Sequence, residues 1–192
     1  MCAQRGNPDD WSERLYRNLD SHFEGDHPYI VINYDYDGVL CASILQNFFP
    51  RARIVGAYDL RRIATLGTST SWNDLGRALW VDCAIDSDRI FCIDQHYIES
   101  NVEHEVYEGW HRSSFNPGSH LSETRFDRKY PFSCSQLIYS VMSRHHPSSP
   151  PLPRDPRMNS TYALAHADSA WVSSYKFPVN VEHWRSDFHE AE

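Results

Sequence analysis

Apolar residues recur along the chain in two rhythms. Over residues 9–23, Trp11, Leu15, Leu19 and Phe23 fall at helical spacing, with Asp9 or Asp10 placed to cap. After a short turn, the unbroken run Tyr29-Ile30-Val31-Ile32 predicts a buried strand. It leads into Asn33-Tyr34-Asp35-Tyr36-Asp37-Gly38, and residues 39–49 read as a helix stopped by Pro50. The Asp-rich stretch therefore occupies a strand-to-helix turn. Further strands are expected at 53–57, at 78–81 ending in Asp82, and at 89–93 ending in Asp94. Residues 59–76 are mixed and polar, and their Thr/Ser run over 68–71 reads as loop. A polar, His-rich section with a turn at Asn116-Pro117-Gly118 extends to about residue 130. Leu137, Ile138, Val141 and Met142 predict a helix over 134–144, and the prolines of 147–156 forbid one there. A last helix, capped by Asn159 or Ser160, is expected over 159–173 and carries Asp168.

Strands alternating with helices predict an α/β fold, a three-layer α/β/α sandwich around a mainly parallel sheet. No internal repeat is visible. The expected organisation is an N-terminal helix and turn (1–27), one domain over 28–175, and an acidic tail (176–192) that frays.

Composition narrows the function classes. The chain has 192 residues, 41% hydrophobic and 23% charged, an ordinary globular balance. Its net charge of −8 disfavours non-specific binding to duplex nucleic acid. An anionic substrate is compatible with that charge if cations sit between protein and phosphate. No apolar run is long enough to span a membrane, and the N-terminal residues lack the apolar core of a signal peptide. The five cysteines are an odd number without a CxxC pair, and Cys41, Cys83 and Cys92, set inside apolar runs, read as reduced, buried thiols of a cytoplasmic protein.

In parallel sheets ligands bind at the carboxyl ends of the strands. Asp35 and Asp37 follow the first strand, Asp82 the third and Asp94 the fourth, with His96 close behind. Carboxylates converging on one edge repel each other unless a cation sits among them. Divalent cations meet that need, and mixed Asp and His ligation suits Mn²⁺ as well as Zn²⁺ or Fe²⁺. A two-metal site would bind a phosphate and activate a water for in-line attack on phosphorus. Each piece also has a plainer reading. An Asp after a strand is often a turn former or helix cap, so Asp82 or Asp94 taken singly reads as structural. The Asp-x-Asp-Gly turn is more telling, because it sets two carboxylates just beyond a buried strand. Asp168 lies in a small, apolar helix and needs a partner. His22, His27, His104, His111, His120, His145 and His146 share no ligand spacing and read as surface or satisfied polar groups. His111-Arg112 is singled out as a candidate substrate contact, because Arg reads phosphate well.

These residues resemble a known family, the DHH phosphoesterases. Ile32-Asn33-Tyr34-Asp35-Tyr36-Asp37-Gly38-Val39 is similar to its first motif, and Trp80-Val81-Asp82 to its second. Phe91-Cys92-Ile93-Asp94-Gln95-His96 resembles the namesake Asp-His-His third motif, and Ala167-Asp168-Ser169 the fourth. Lys129 to Ser135, followed by a helix, looks like the segment after the third motif. The resemblance covers residues 28–172. It implies two Mn²⁺ ions, with Mg²⁺ as a substitute, bridged by Asp82. Asp35 would bind one ion, and Asp37 and Asp168 the other. Asp94 would orient the site, and His96 would contact the phosphate or help the leaving group. The implied substrate is a phosphodiester in single-stranded nucleic acid, a short oligonucleotide or a cyclic dinucleotide.

The chain departs from the family in three places. Gln95 replaces the first His of the third motif, usually a ligand, and offers only a neutral carbonyl oxygen. Asn33 stands where many members place a His or Asp ligand. The interval from Asp82 to Asp94 is short for a crossover between parallel strands. The glycine-rich companion domain of many members is not found, so substrate grip is expected from section 97–130, from a protein partner or from a second copy. Two other readings stay open. One is a binding or scaffold module with the family fold and a degraded site. The other is a haloacid-dehalogenase-type phosphatase, in which Asp35 is the nucleophile and Asp37 the acid/base.

Overall fold

A computed structural model describes residues 8–85, 89–95, 114–115, 132–148, 167, 178 and 181. Among the described residues the helices are α1 (Pro8–Glu24), α2 (Tyr36–Phe48), α3 (Trp72–Arg77) and α4 (Cys134–His145). The strands are β1 (Tyr29–Asn33), β2 (Arg53–Tyr58), β3 (Ile63–Thr65), β4 (Leu79–Val81), β5 (Cys92–Ile93) and β6 (Ser114–Phe115). They form one sheet in the order β3-β2-β1-β4-β5-β6. Every pairing is parallel except β2 with β3. The expected α/β class with a mainly parallel sheet is what the chain adopts.

Strand residues alternate between two cores, as a pleated strand requires. Ile30 and Ile32 of β1, Leu79 and Val81 of β4, and Ile93 of β5 join Leu15, Leu19 and Phe23 of α1 and Leu137, Ile138 and Val141 of α4. Cys41, Ile44 and Leu45 of α2 complete that larger core. Val31, Trp80 and Cys92 point the other way, onto Leu75 of α3, Ala78 and Cys83. The Trp80 indole Nε1 donates to the Leu75 carbonyl at 2.9 Å, so its buried polar atom is satisfied. Helices thus cover both faces, which explains why β1 and β4 read as unbroken apolar runs.

Several local expectations need correction. Residues 59–76 hold two regular elements, β3 and α3, that their mixed polarity hid. The first helix starts at Pro8, so Asp9 and Asp10 lie inside its first turn rather than ahead of it. The second helix starts three residues earlier than expected, at Tyr36. The strand expected over 89–93 is ordered as strand only at Cys92–Ile93. The short connection from β4 to β5 does carry a parallel pairing, with Trp80 opposite Cys92 and Val81 opposite Ile93. Cys41, Cys83 and Cys92 are buried and in no disulfide, as expected, and Cys134 is likewise buried and outside any disulfide. Apart from the single residues 167, 178 and 181, the helix expected over 159–173 and the tail lie outside the described residues.

The strand order fixes where a ligand would sit. From β1 the chain moves outward to β2 and β3, then returns to β4 on the other flank of β1. The order reverses between β1 and β4, and a crevice opens beyond the carboxyl ends of strands at such a point.

Candidate functional site

Beyond the end of β1, Asp35 caps α2. Its Oδ1 accepts the Gly38 amide at 2.9 Å, and its backbone is extended (φ −142°, ψ −172°). Gly38 is required here by a close approach, not by a left-handed turn. A Cβ on it would lie 2.2 Å from the Asn33 carbonyl oxygen and 2.9 Å from the Asn33 amide nitrogen. The bare backbone lets α2 begin directly against the end of β1, which keeps Asp35 and Asp37 at the sheet edge.

Asp37 turns inward. It is buried, and both of its oxygens accept backbone amides from the start of α4: Oδ2 from Cys134 at 2.8 Å and Oδ1 from Ser135 at 3.1 Å. Ser133 Oγ accepts the next amide, from Gln136, at 3.2 Å. The first three orphan donors of α4 are thereby satisfied, two of them by a carboxylate 97 and 98 residues away. The helix dipole favours the negative charge there.

Asp82 follows β4 in a left-handed conformation (φ 55°), which Asp tolerates better than most residues. It is 3% exposed. Its Oδ2 accepts from Asn33 Nδ2 at 3.2 Å, and the same Nδ2 donates to Asp35 Oδ2 at 2.6 Å. Its Oδ1 is buried with no hydrogen-bond partner among the described residues. Burial and the nearby charges of Asp37, Asp94 and Asp35 push the Asp82 carboxyl up to about 9. The thiols of Cys41, Cys83 and Cys134 are raised as well, first by burial and then by neighbours that include these aspartates.

Asp94 and Gln95 follow β5, both buried. Five expected residues, Asn33, Asp35, Asp37, Asp82 and Asp94, thus meet at the carboxyl edge of β1, β4 and β5, with Gln95 next in the chain. His96, His111, Arg112 and Asp168 lie outside the described residues. Asn33 presents its amino group to Asp35 and Asp82, so in this arrangement it links two carboxylates instead of offering an oxygen ligand. Among the described residues, no three His, Cys, Asp or Glu side chains are disposed to hold a metal ion.

Two features of the site were missed in the sequence. The first is the role of the α4 amides as partners of Asp37. Its only trace was the serine pair Ser133 and Ser135 at the start of an apolar helix. The second is the turn Asp59-Leu60-Arg61-Arg62, which follows β2 at the same edge of the sheet. Also at this edge, Tyr34 is 75% exposed, and Tyr36 and Val39 are exposed beside it. No helix among the described residues is long and apolar enough to cross a membrane. Comparisons with the models of known families, with characterised proteins and with solved structures give no match.

Proposed function

We propose that this chain is a metal-dependent phosphoesterase of the DHH type, acting on phosphodiesters. The observation that carries the reading is the buried Oδ1 of Asp82, without a hydrogen-bond partner among the described residues and placed among the charges of three more aspartates at the reversal point of the sheet. A buried acceptor oxygen without a donor is costly, and a surrounding rich in carboxylate oxygens fits a hard divalent cation. The described aspartates do not by themselves make a ligand set, so Asp82, Asp35 and Asp37 would hold such cations only together with Asp168, which lies outside the described residues. Divalent cations bound there would polarise a phosphoryl oxygen and ease deprotonation of the attacking water.

The chain's own groups do the rest. Asp82 follows β4, the strand between β1 and β5, and would hold the cations together with the aspartates of the neighbouring loops. Asp37 is held rigidly, because both its oxygens are fixed by α4. The Asp35 carboxylate is oriented by Gly38 and Asn33. His96 would contact the phosphate or support the leaving group.

A second reading, a binding module without catalysis, draws on one feature: the Asn33 amino group already bridges Asp35 and Asp82. The alternative with Asp35 as nucleophile draws less support. It asks Asp37 to give a proton, yet both Asp37 oxygens accept amide N–H groups.

Mn²⁺ titration of the purified chain followed by assay on short oligonucleotides and cyclic dinucleotides separates the readings. Stoichiometric Mn²⁺ binding with Mn²⁺-dependent hydrolysis, abolished in Asp82→Ala, is expected. Hydrolysis by Asp82→Ala at the unaltered rate would overturn the assignment. Metal binding without turnover would favour the binding module.

A further inference from the structure

The carboxylate edge is hostile to an anionic substrate. The chain carries a net charge of −8, and four aspartates gather at that edge. Approach of a phosphate compound therefore calls for fixed positive charge nearby. The turn between β2 and β3 supplies it. β2 lies beside β1 with Tyr58 opposite Asn33, so the turn leaves the sheet at the carboxyl edge next to the Asp35 loop. The Tyr34 amide donates to the Tyr58 carbonyl at 2.7 Å, which ties the two segments together.

The turn is built to present arginine. Asp59 Oδ1 accepts the amides of Arg61 at 3.0 Å and Arg62 at 2.6 Å, and the Asp59 amide donates to the Arg62 carbonyl at 3.1 Å. These amides, and then the Arg62 charge, hold the Asp59 carboxyl below its usual range. Leu60, at the tip, is left-handed (φ 69°) and exposed. Arg61 and Arg62 are exposed, and neither makes a salt bridge among the described residues.

We propose that Arg61 and Arg62 form a subsite for a second phosphate group of the substrate. The site would then favour molecules carrying two or more phosphates over those with a single isolated phosphodiester. The planar, forked guanidinium suits phosphate oxygens, and a pre-set turn limits the ordering cost of binding. This inference rests on the phosphoesterase reading, and deepens it by naming the substrate class.

The test compares a 5′-phosphorylated dinucleotide with the same dinucleotide lacking that phosphate. The full-length chain, loaded with Mn²⁺, is expected to favour the phosphorylated substrate in kcat/KM by about tenfold or more, the worth of one charged hydrogen bond. In the double variant Arg61→Ala/Arg62→Ala the ratio should fall close to one, mainly through KM. Arg53→Ala removes a charge from the opposite end of β2 and should keep the ratio. Equal ratios in the unaltered and double-variant proteins would overturn the proposal. So would an equal loss of preference in Arg53→Ala.

If the unaltered chain hydrolyses neither dinucleotide, the phosphoesterase reading fails by itself. Calorimetric binding of inorganic tripolyphosphate then decides the subsite. Binding weakened about tenfold in the double variant supports it, and unchanged binding sinks it.

Discussion

Asp82→Asn should stabilise the metal-free protein, by an amount that grows with pH. The carboxyl is pushed from 3.8 up to about 9 in the folded chain. A raised folded value means that the folded state holds the proton more tightly than the unfolded one. Stability is therefore full below the unfolded value and is lost as pH rises toward the folded value. Each pH unit in that window is worth about 1.4 kcal/mol. By pH 7 the native residue has cost the metal-free fold on the order of 4 kcal/mol. Asparagine keeps an oxygen to accept from Asn33, tolerates φ 55° and carries no charge. Urea unfolding in EDTA at pH 5 and pH 7 measures the difference. The gap between variant and unaltered protein should widen by about 3 kcal/mol over those two units. Saturating Mn²⁺, at a hundred times its dissociation constant, should return about 2.7 kcal/mol to the unaltered protein and less to the variant. A gap that is the same at both pH values, or a variant that is less stable at pH 7, would refute the reasoning.

The same chemical change at Asp37 should act in the opposite direction. Asp37→Asn turns an amino group toward one of the two α4 amides and should cost about 1–3 kcal/mol in urea unfolding; a gain would contradict its capping role. Gly38→Ala forces a Cβ into the Asn33 backbone and should destabilise by about 1–3 kcal/mol or more, and an unshifted unfolding midpoint would count against the close approach. Thiol titration of the native chain should leave Cys41, Cys83, Cys92 and Cys134 unreactive until denaturant is added, because all four are buried; fast labelling of any of them would contradict that burial. Gln95→His should tighten Mn²⁺ binding in a calorimetric titration, and no gain would argue against position 95 as a ligand.

The long buried strands were legible because covering both faces of a sheet forces continuous apolar runs, as in Tyr29 to Ile32 and Ala78 to Val81. Short edge elements were not. β3 has three residues, two of them exposed, too few for an alternation to register. α3 has six residues and buries only Leu75, so its apolar stripe is a single side chain. Its start was nevertheless written in the capping box Ser71-Trp72-Asn73-Asp74, where Ser71 and Asp74 bond reciprocally. At the site, the Asp positions after the strands could be read directly. The division of labour among them could not. That Asp37 fastens α4 depends on amides nearly a hundred residues away, and that an Asp82 oxygen has no partner among the described residues depends on the sheet order. The reason for Gly38 was also hidden, since only the packed backbone shows what its missing side chain makes room for.

The antiparallel rim formed by β3 bears on how copies of this chain meet. Three residues offer few open N–H and C=O groups to a neighbouring strand, and Ala64 and Thr65 there are exposed without a large apolar side chain between them. Templated, amyloid-like growth along that flank is thereby discouraged. A dimer joined at that flank would have to form through side-chain surfaces, where its geometry can be specified residue by residue.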